Sequence, residues 1–382
     1  MGERKHLRGV LNLIEESVIR EMTRLAKKYN AINLAQGLPE FDTPDFLKRF
    51  AITAIQEGHN QYSFTWGLKE LRERVKESDY DPETEVLITC GASEGLASAV
   101  LAIVEPGDEV IIIEPFYENY PPLVRLAGGV PVYVKLQEPD FVFSVEELES
   151  KITDRTKAVI LNNPHNPTGK VFRREDLTKI ARVASRKGLF VIADETYQYI
   201  IYDGVKHIPM YSIKGMRERT ITVRTFSKTF SITGWRVGYV LADRRIMDGI
   251  RKVHDYLVVC APMPFQKALA TAVVPDEYYK KLRRMYQDLR DYTIEVLSER
   301  GFSAYKPQGG YYLFCNVDAY DFPDDWSFVR YMVAHRGIAF VPGSSFYHSE
   351  EDGLSWVRLC FAKPKEVIDE VSRRLEGLLI RG

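Results

Sequence analysis

The sequence predicts an α/β fold, in which a large domain with a mostly parallel sheet sandwiched by helices is joined to a smaller α+β domain. From about residue 85, short apolar runs alternate with amphipathic segments, a pattern typical of a parallel sheet covered on both faces. At 382 residues the chain is also longer than one ordinary domain. Near the C-terminal end, strand and helix patterns are mixed, which indicates a separate second unit.

Turn and capping residues separate the elements of the large domain. Ser144 and Glu147 form a capping-box pattern at the start of one helix, and Gly188 closes another. In chain order, the periodicity predicts strand 86–90, helix 93–104, strands 109–113 and 130–136, helix 145–151, strand 158–161, helix 175–187, and strands 189–193, 221–225 and 237–241.

A long helix follows the last of these strands. Pro262 and Pro264 interrupt the pattern first, and Gly301 ends the helix, which we expect to join the two domains. Pro364 suits the first turn of a C-terminal helix. The elements predicted for this part of the chain are helix 277–300, strand 311–316, helix 326–336, strand 356–361 and helix 364–380.

Composition excludes several classes of protein. With 45% hydrophobic residues, 27% charged residues and a net charge of -1, the chain is globular and lacks the basic excess that binds nucleic acid or anionic lipid. The sequence contains neither a membrane-spanning run nor a signal-peptide pattern, so a cytoplasmic location is expected. The four cysteines lack the spacing of metal ligands, so no metal site is predicted and all four are interpreted as buried thiols.

The most informative motif is the segment from Thr225 to Gly238, which directly follows a predicted strand. Its lysine, Lys228, lies among hydroxyl side chains, and Arg236 follows eight positions later. A lone lysine is usually a solvated surface charge. Desolvation or a nearby cation, however, releases its amine to attack a carbonyl, and an arginine suits a phosphate. An aldehyde cofactor that carries a phosphate would satisfy both residues.

Polar residues follow two further strands. Asp194 ends a buried strand and precedes Tyr197, and a turn rich in Asn and Pro runs from Asn162 to Gly169 and contains Asn166. Open α/β sheets place ligand groups at such strand ends. A helix cap and an ordinary turn are the respective alternatives. Together with the lysine motif, the two segments indicate one shared site.

In these three motifs, in their order and in their spacing, the sequence resembles the class I and II aminotransferases, which have the type I fold and use pyridoxal phosphate. The resemblance extends over nearly the whole chain. It implies that Lys228 bonds to the cofactor aldehyde, that Asp194 pairs with the pyridine nitrogen, and that Tyr197 and Asn166 contact the phenolic oxygen. A carboxylate at that nitrogen keeps it protonated, so the ring can accept electrons from the substrate.

The resemblance also assigns the remaining cofactor contacts. Thr225 and Arg236 match the phosphate-binding side chains, and Ala92 and Ser93 match a backbone cradle at a helix start, where an ordinary turn is the alternative. Two tyrosines complete the set, with core or interface packing as the alternative for each. These are Tyr117, which would stack on the cofactor, and Tyr62, which would reach the phosphate of the partner subunit in a homodimer.

The resemblance assigns substrate binding to Asn166 and to two residues that match the family's contacts to the substrate carboxylate. Arg358 lies within an apolar strand near the C-terminus and corresponds to a bidentate arginine, although a surface-facing strand arginine is the alternative. Gly37 corresponds to a glycine whose backbone approaches the substrate, although it would equally serve a turn.

We divide the chain into a segment 1–44 that belongs to the small domain, a large domain 45–276 and a small domain 277–382.

The implied activity is ping-pong transfer of an amino group from an L-amino acid to a 2-oxo acid such as 2-oxoglutarate. The segment around Gly37 is similar to the branch that acts on kynurenine, glutamine, methionine and aromatic amino acids, which favours aromatic or other large neutral donors. Ile19 stands where that branch has tryptophan, which argues against kynurenine. Aspartate specificity would need a second arginine, and the sequence assigns none. Aspartate aminotransferases, carbon-sulfur lyases, aminocyclopropane carboxylate synthases and a non-enzymatic cofactor-binding regulator remain alternatives.

Overall fold

A computed structural model describes residues 8–77, 80–349 and 351–378. Its helices are α1 (Val18–Lys28), α2 (Asp45–Gln56), α3 (Lys69–Val75), α4 (Gly91–Ile103), α5 (Tyr120–Leu126), α6 (Val145–Ser150), α7 (Arg174–Lys187), α8 (Arg244–Leu257), α9 (Met263–Thr271), α10 (Asp276–Ser298), α11 (Asp325–Tyr331) and α12 (Lys365–Leu375). Its strands are β1 (Ile32–Asn33), β2 (Val86–Thr89), β3 (Glu109–Glu114), β4 (Val130–Lys135), β5 (Thr156–Asn162), β6 (Phe190–Asp194), β7 (Thr220–Thr225), β8 (Gly238–Leu241), β9 (Ser303–Ala304), β10 (Tyr312–Asn316), β11 (Ile338–Ala339), β12 (Val341–Pro342) and β13 (Trp356–Cys360).

A seven-stranded sheet forms the centre of the molecule, in the order β2-β8-β7-β6-β5-β3-β4. The pairs from β7 to β4 are parallel, whereas β8 is antiparallel to both of its neighbours. Every residue of β3 is buried, as expected for a strand covered on both faces. Since parallel strands end at one edge, Asn162 and Asp194 are direct cross-strand neighbours there.

The smaller sheet is antiparallel and has the order β12-β13-β10-β9. The N-terminal segment joins this part of the molecule, because Ile32 and Asn33 of β1 pair in parallel with β11. The domain boundaries at 44/45 and 276/277 remain predictions. None of the helices in the described residues is long and apolar enough to cross a membrane.

Several elements differ from the sequence prediction. The periodicity did not predict α5, α8 or α9, and Pro264 lies in the first turn of α9, where its missing N–H costs no hydrogen bond. The helix predicted over 326–336 is α11 followed by a π-helical turn, Met332–Arg336. Residues 1–7 of the predicted N-terminal segment and 379–380 of the predicted last helix lie outside the described residues.

Two local predictions were partly wrong. Ser144 caps α6 by accepting a hydrogen bond from the Glu147 N–H, but the Glu147 carboxylate accepts from the backbone of Lys135 instead of closing the capping box. Cys315 and Cys360 are buried free thiols, as predicted. Cys90 and Cys260 are only half-buried, because both lie in loops next to helix starts.

Candidate active site

A cavity of about 370 Å³ lies where β5, β6 and β7 end, beside the start of α4. Its volume is within the usual range for a small-molecule site, roughly 300–1,000 Å³. Most of the site residues predicted from the sequence line this cavity: Gly37, Ala92, Ser93, Tyr117, Asn166, Asp194, Tyr197, Thr225, Lys228 and Arg236. The fold therefore brings together motifs that are more than a hundred positions apart in the sequence.

Lys228 lies in the loop after β7, and its amine faces the cavity. The Nζ atom donates a hydrogen bond to the carbonyl of Gly37 at 3.1 Å. Burial, reinforced by the positive charges of Arg236 and Arg358, lowers the pKa of Lys228 to about 8. At pH 7, roughly a tenth of such an amine is neutral, far more than of an ordinary lysine. The neutral form is the one that attacks a carbonyl.

Asp194, at the end of β6, provides a buried negative charge in the lining of the same cavity. Its carboxylate is 4% exposed and accepts hydrogen bonds from the Tyr120 hydroxyl at 2.7 Å and from the Thr196 N–H and hydroxyl at 3.1 and 2.7 Å. Burial raises the pKa of Asp194 despite these bonds. Within the described residues this carboxylate forms no ion pair, so it fits a ligand that brings a cationic ring nitrogen.

The Asn162 side chain joins the backbones of Asp194 and Asn166, and Tyr197 lines the cavity beside them. The Asn162 amide donates to the Asp194 carbonyl at 3.0 Å and its oxygen accepts from the Asn166 N–H at 2.6 Å. Tyr197 donates its hydroxyl to Tyr312 at 3.2 Å, and burial keeps the pKa of Tyr197 well above its ordinary value. Tyr197 and Asn166 therefore present a neutral phenol and an amide to the cavity.

Arg358 contacts Asn166 and Tyr312, two residues that line the cavity. The surface-facing alternative is wrong, since Arg358 is 0% exposed and its guanidinium lies 4.3 Å from the ring centre of Tyr312. It donates to the Asn166 side-chain oxygen at 3.0 Å and to the Ala35 carbonyl at 2.7 Å, while its Nε has no partner among the described residues. A buried cation without an anion is costly, so a substrate carboxylate is the group that fits here.

At the other end of the cavity, Arg236 and the start of α4 form a cradle for an anion. The Arg236 guanidinium donates to the carbonyls of Cys90 and Thr233, at 3.2 and 3.0 Å. Gly91 has φ +74°, and a Cβ there would lie 2.6 Å from Arg236 Nη2, so a side chain would fill the cradle. The hydroxyls of Thr225 and Ser227 also line this cavity. A helix start, an arginine and hydroxyls are the groups that bind phosphate.

Close approach, rather than a turn, explains Gly37. A Cβ at this position would lie 1.7 Å from the Tyr312 hydroxyl oxygen. The Gly37 carbonyl also accepts a hydrogen bond from Tyr311 at 3.1 Å, in addition to the bond from Lys228. This backbone is therefore held against the amine and against the wall next to Arg358.

The two predicted tyrosines lie in different surroundings. Tyr117 lines the cavity and packs against Tyr120 edge to face, at 5.6 Å between ring centres, and its stacking on the cofactor stays a prediction. Tyr62 is 79% exposed and does not line the cavity of its own chain. Its contact with the site of a partner subunit stays a prediction.

Several residues of the site were missed from the sequence. Most of them are polar groups that hold the predicted ones: Tyr120, Asn162, Thr196, Ser227 and Tyr312. Asn162, Thr196 and Ser227 lie within the motifs already singled out and could have been found there. For Tyr120, which is 74 positions from Asp194, the sequence carried no local signal.

Comparison with known proteins identifies the family. The model of the family described as aminotransferase class I and II matches residues 29–375. The chain belongs to this family. It is 37% identical to the probable N-succinyldiaminopimelate aminotransferase DapC of Mycobacterium tuberculosis, over 96% of each chain. The solved structure of the N-succinyldiaminopimelate aminotransferase from that organism covers 98% of this chain and 100% of its own, with a TM-score of 0.94.

A second relative has a different named substrate. A kynurenine–oxoglutarate transaminase of Dictyostelium discoideum is 36% identical over 91% of this chain and 90% of its own.

As a class I and II aminotransferase, the chain is an enzyme that uses pyridoxal phosphate. The cavity fits that cofactor, because it offers an unpaired buried carboxylate, a lysine of lowered pKa and an anion cradle. A role as a non-enzymatic regulator is not supported.

We expect the Arg358→Lys substitution to raise the KM for the amino donor about 10- to 100-fold, because lysine keeps the charge but loses the planar fork, and hydrogen bonds to charged groups contribute roughly 1.5–3 kcal/mol. The kcat should change much less. Steady-state kinetics over a range of donor concentrations measures both constants.

Arg336→Lys is the matched control for this substitution. Arg336 also donates to backbone carbonyls, that of Glu376 at 3.0 Å among them, but unlike Arg358 it makes no hydrogen bond to Asn166 of the cavity. An unchanged donor KM in folded Arg358→Lys protein would remove this arginine from the substrate site.

Proposed function

We propose that this aminotransferase moves the amino group of L-amino acids with aromatic or other large neutral side chains to a dicarboxylic 2-oxo acid such as 2-oxoglutarate. One observation carries the proposal: the start of α1 supplies both an apolar side chain, Ile19, and a cation, Arg20, to the cavity lining. We call Ser17, Ile19 and Arg20 the α1 wall.

The proposed roles of the buried residues follow from their contacts. The cofactor, when bound, supplies an aldehyde for amines and a ring that takes up electrons. We assign Lys228 the attachment of the cofactor and the movement of the substrate α-proton, and Asp194 the charge at the ring nitrogen. Tyr197 and Asn166 hold the phenolic edge of the ring by hydrogen bonds, and Arg358 holds the substrate carboxylate.

Five residues are assigned to the remaining cofactor contacts. Four of them form the phosphate cradle: Ala92, Ser93, Thr225 and Arg236. The fifth, Tyr117, is assigned to the face of the ring. The unpaired charges and the close packing at Gly91 support these assignments. With these residues assigned to the cofactor, the α1 wall and the residues next to it are left to contact the side chain of the substrate.

The α1 wall supports two kinds of substrate side chain. Ile19 is smaller than the tryptophan of similar enzymes and leaves more room for an apolar group. The Arg20 side chain is exposed, and within the described residues it makes no hydrogen bond or ion pair. An arginine without a partner can pair with the second carboxylate of an acceptor without disturbing the fold. It is also a candidate for the second arginine that the sequence alone did not assign.

The names of the relatives support the proposal in part. One is named for kynurenine and oxoglutarate, an aromatic donor and a dicarboxylic acceptor. N-succinyldiaminopimelate is the second candidate donor, because the probable DapC relative is named for it. Its distal carboxylates would also suit Arg20.

The Arg20→Gln substitution tests the acceptor. We expect it to raise the KM for 2-oxoglutarate about 5- to 20-fold, because one charge-assisted contact is lost, and to leave the KM for L-phenylalanine within about twofold. Lys27→Gln is the matched control, since it removes one cation from the last turn of the same helix. An unchanged KM for 2-oxoglutarate would contradict the role of Arg20.

A donor panel tests the rest of the proposal. L-phenylalanine, L-methionine, L-aspartate and N-succinyl-LL-2,6-diaminopimelate are compared by kcat/KM with 2-oxoglutarate as acceptor. The highest value for either of the last two would overturn the choice of large neutral donors.

We also propose that the enzyme is a homodimer. Several large apolar side chains are exposed in the single chain: Tyr62 at 79%, Phe64 at 59% and Tyr256 at 94%. Exposed apolar patches of this kind support an interface with another copy. Sedimentation velocity at micromolar concentration checks the proposal, and a monomer there would contradict it.

A further inference from the structure

A short segment after β3 holds the N-terminal helix at the rim of the cavity. Tyr117 of this segment lines the cavity, and the adjacent Glu118 carboxylate accepts a hydrogen bond from the Ser17 hydroxyl at 2.5 Å. Its second oxygen accepts from the Ile19 N–H at 3.4 Å. We call these two contacts the Glu118 clamp. Glu118 itself lines the cavity, so the clamp joins the cavity lining after β3 to the first residues of α1.

The two sides of the clamp belong to different parts of the molecule. Glu118 follows a strand of the seven-stranded sheet, whereas α1 packs against β11 and β12 of the C-terminal part. A second tie lies nearby, where Arg125 of α5 donates to the Leu13 carbonyl at 2.7 Å. The segment before α1 is therefore attached to the large sheet's side at two points.

The Glu118 carboxylate accepts its hydrogen bonds from the start of α1. It forms no ion pair in the part of the chain that the structure describes. A carboxylate at a helix start is stabilised by the free N–H groups and the positive end of the helix dipole. Since the Ile19 N–H is itself bound by Glu118 and Arg20 is the next residue, the position of the α1 wall depends on this contact.

We propose that Glu118 is a positioning residue, which holds the start of α1 at the rim so that Ile19 and Arg20 face the bound substrate. Release of the clamp frees the α1 wall from the rim and widens the entrance. The inference goes beyond the proposed function, because it requires an aminotransferase site but no particular donor. Substrate binding, and not the chemical step, is the property that depends on the clamp.

Glu118→Ala, Ser17→Ala and the double variant test the proposal. Each single variant should raise the KM for the amino donor about tenfold, with kcat within twofold, because the wall is less often in place. The double variant should show no further rise over Glu118→Ala, since Glu118→Ala already removes the Ser17 contact together with the Ile19 contact. Hydrogen exchange at the amides of 18–21 should become about tenfold faster in all three.

Ser144→Ala is the matched control. Ser144 caps α6 as Ser17 caps α1, with N–H to Oγ distances of 3.1 and 3.2 Å, but it lies away from the cavity. It should leave the donor KM unchanged. If Ser144→Ala raises the KM equally, the effect comes from loss of a helix cap and the proposal fails.

Two further outcomes would overturn the clamp. KM effects that multiply in the double variant would mean that Glu118 and Ser17 act separately. A raised KM in Glu118→Ala with unchanged exchange at 18–21 would mean that Glu118 contacts the substrate itself. Failure of the clamp proposal appears only in the comparison of variants with the wild type, whereas failure of the proposed function appears in the donor ranking of the wild type itself.

Discussion

The Lys228→Ala variant is expected to lose at least about 10⁴-fold in kcat/KM, since one side chain is assigned both the nucleophile and the general acid/base, and positioned proton transfer alone contributes about 10²–10⁴-fold. The physical basis is the lowered pKa of about 8, which burial and two arginines produce. No other described lysine lines the cavity, so no neighbour can replace it. Single-turnover and steady-state assays measure the loss.

A covalent readout separates the two roles of Lys228. Borohydride treatment of the purified enzyme should leave the cofactor mass on the wild-type chain and none on Lys228→Ala, as measured by mass spectrometry. Lys214→Ala, a change in an exposed turn, is the matched control and should behave as the wild type. Cofactor retained covalently by Lys228→Ala would show that another residue is the nucleophile.

The Asp194→Asn variant is expected to lose about 10²–10³-fold in kcat, the range found when one preorganised electrostatic group is removed. Asparagine has nearly the same shape, so the Thr196 N–H and hydroxyl can still donate to its oxygen, while the charge and the acceptor for the Tyr120 hydroxyl are lost. Without that charge, nothing holds the proton on a ring nitrogen. The rate of half-reaction with an amino donor, followed by absorbance, measures the change.

Asp154→Asn, in an exposed turn before β5, is the control for this second prediction. The Asp194→Asn protein should still bind the cofactor, because Lys228 and the cradle at Arg236 are intact. A variant with wild-type kcat would remove Asp194 from the reaction. A variant that binds no cofactor would assign Asp194 to retention instead of to the electronic state of the ring.

Local sequence was sufficient for much of the fold and for the location of the site. Parallel strands end at one edge, so the motifs after β5, β6 and β7 had to meet, and Asn166, Asp194 and Lys228 do line one cavity. Periodicity was weaker for α8, which starts after a short turn at Asp243, and α9 was missed because Pro262 and Pro264, which lie at its start, also mark interruptions of a pattern.

The sequence by itself determined the α/β alternation, the strand-end motifs and the residue types that point to an aldehyde and a phosphate. These features depend on neighbours within a few positions. Only the tertiary structure decided that Tyr120 donates to Asp194, that Arg358 is buried against Asn166, and that Glu118 holds α1. Such contacts join residues 74 to 192 positions apart. They depend on how whole elements pack against each other, and no local periodicity carries that information.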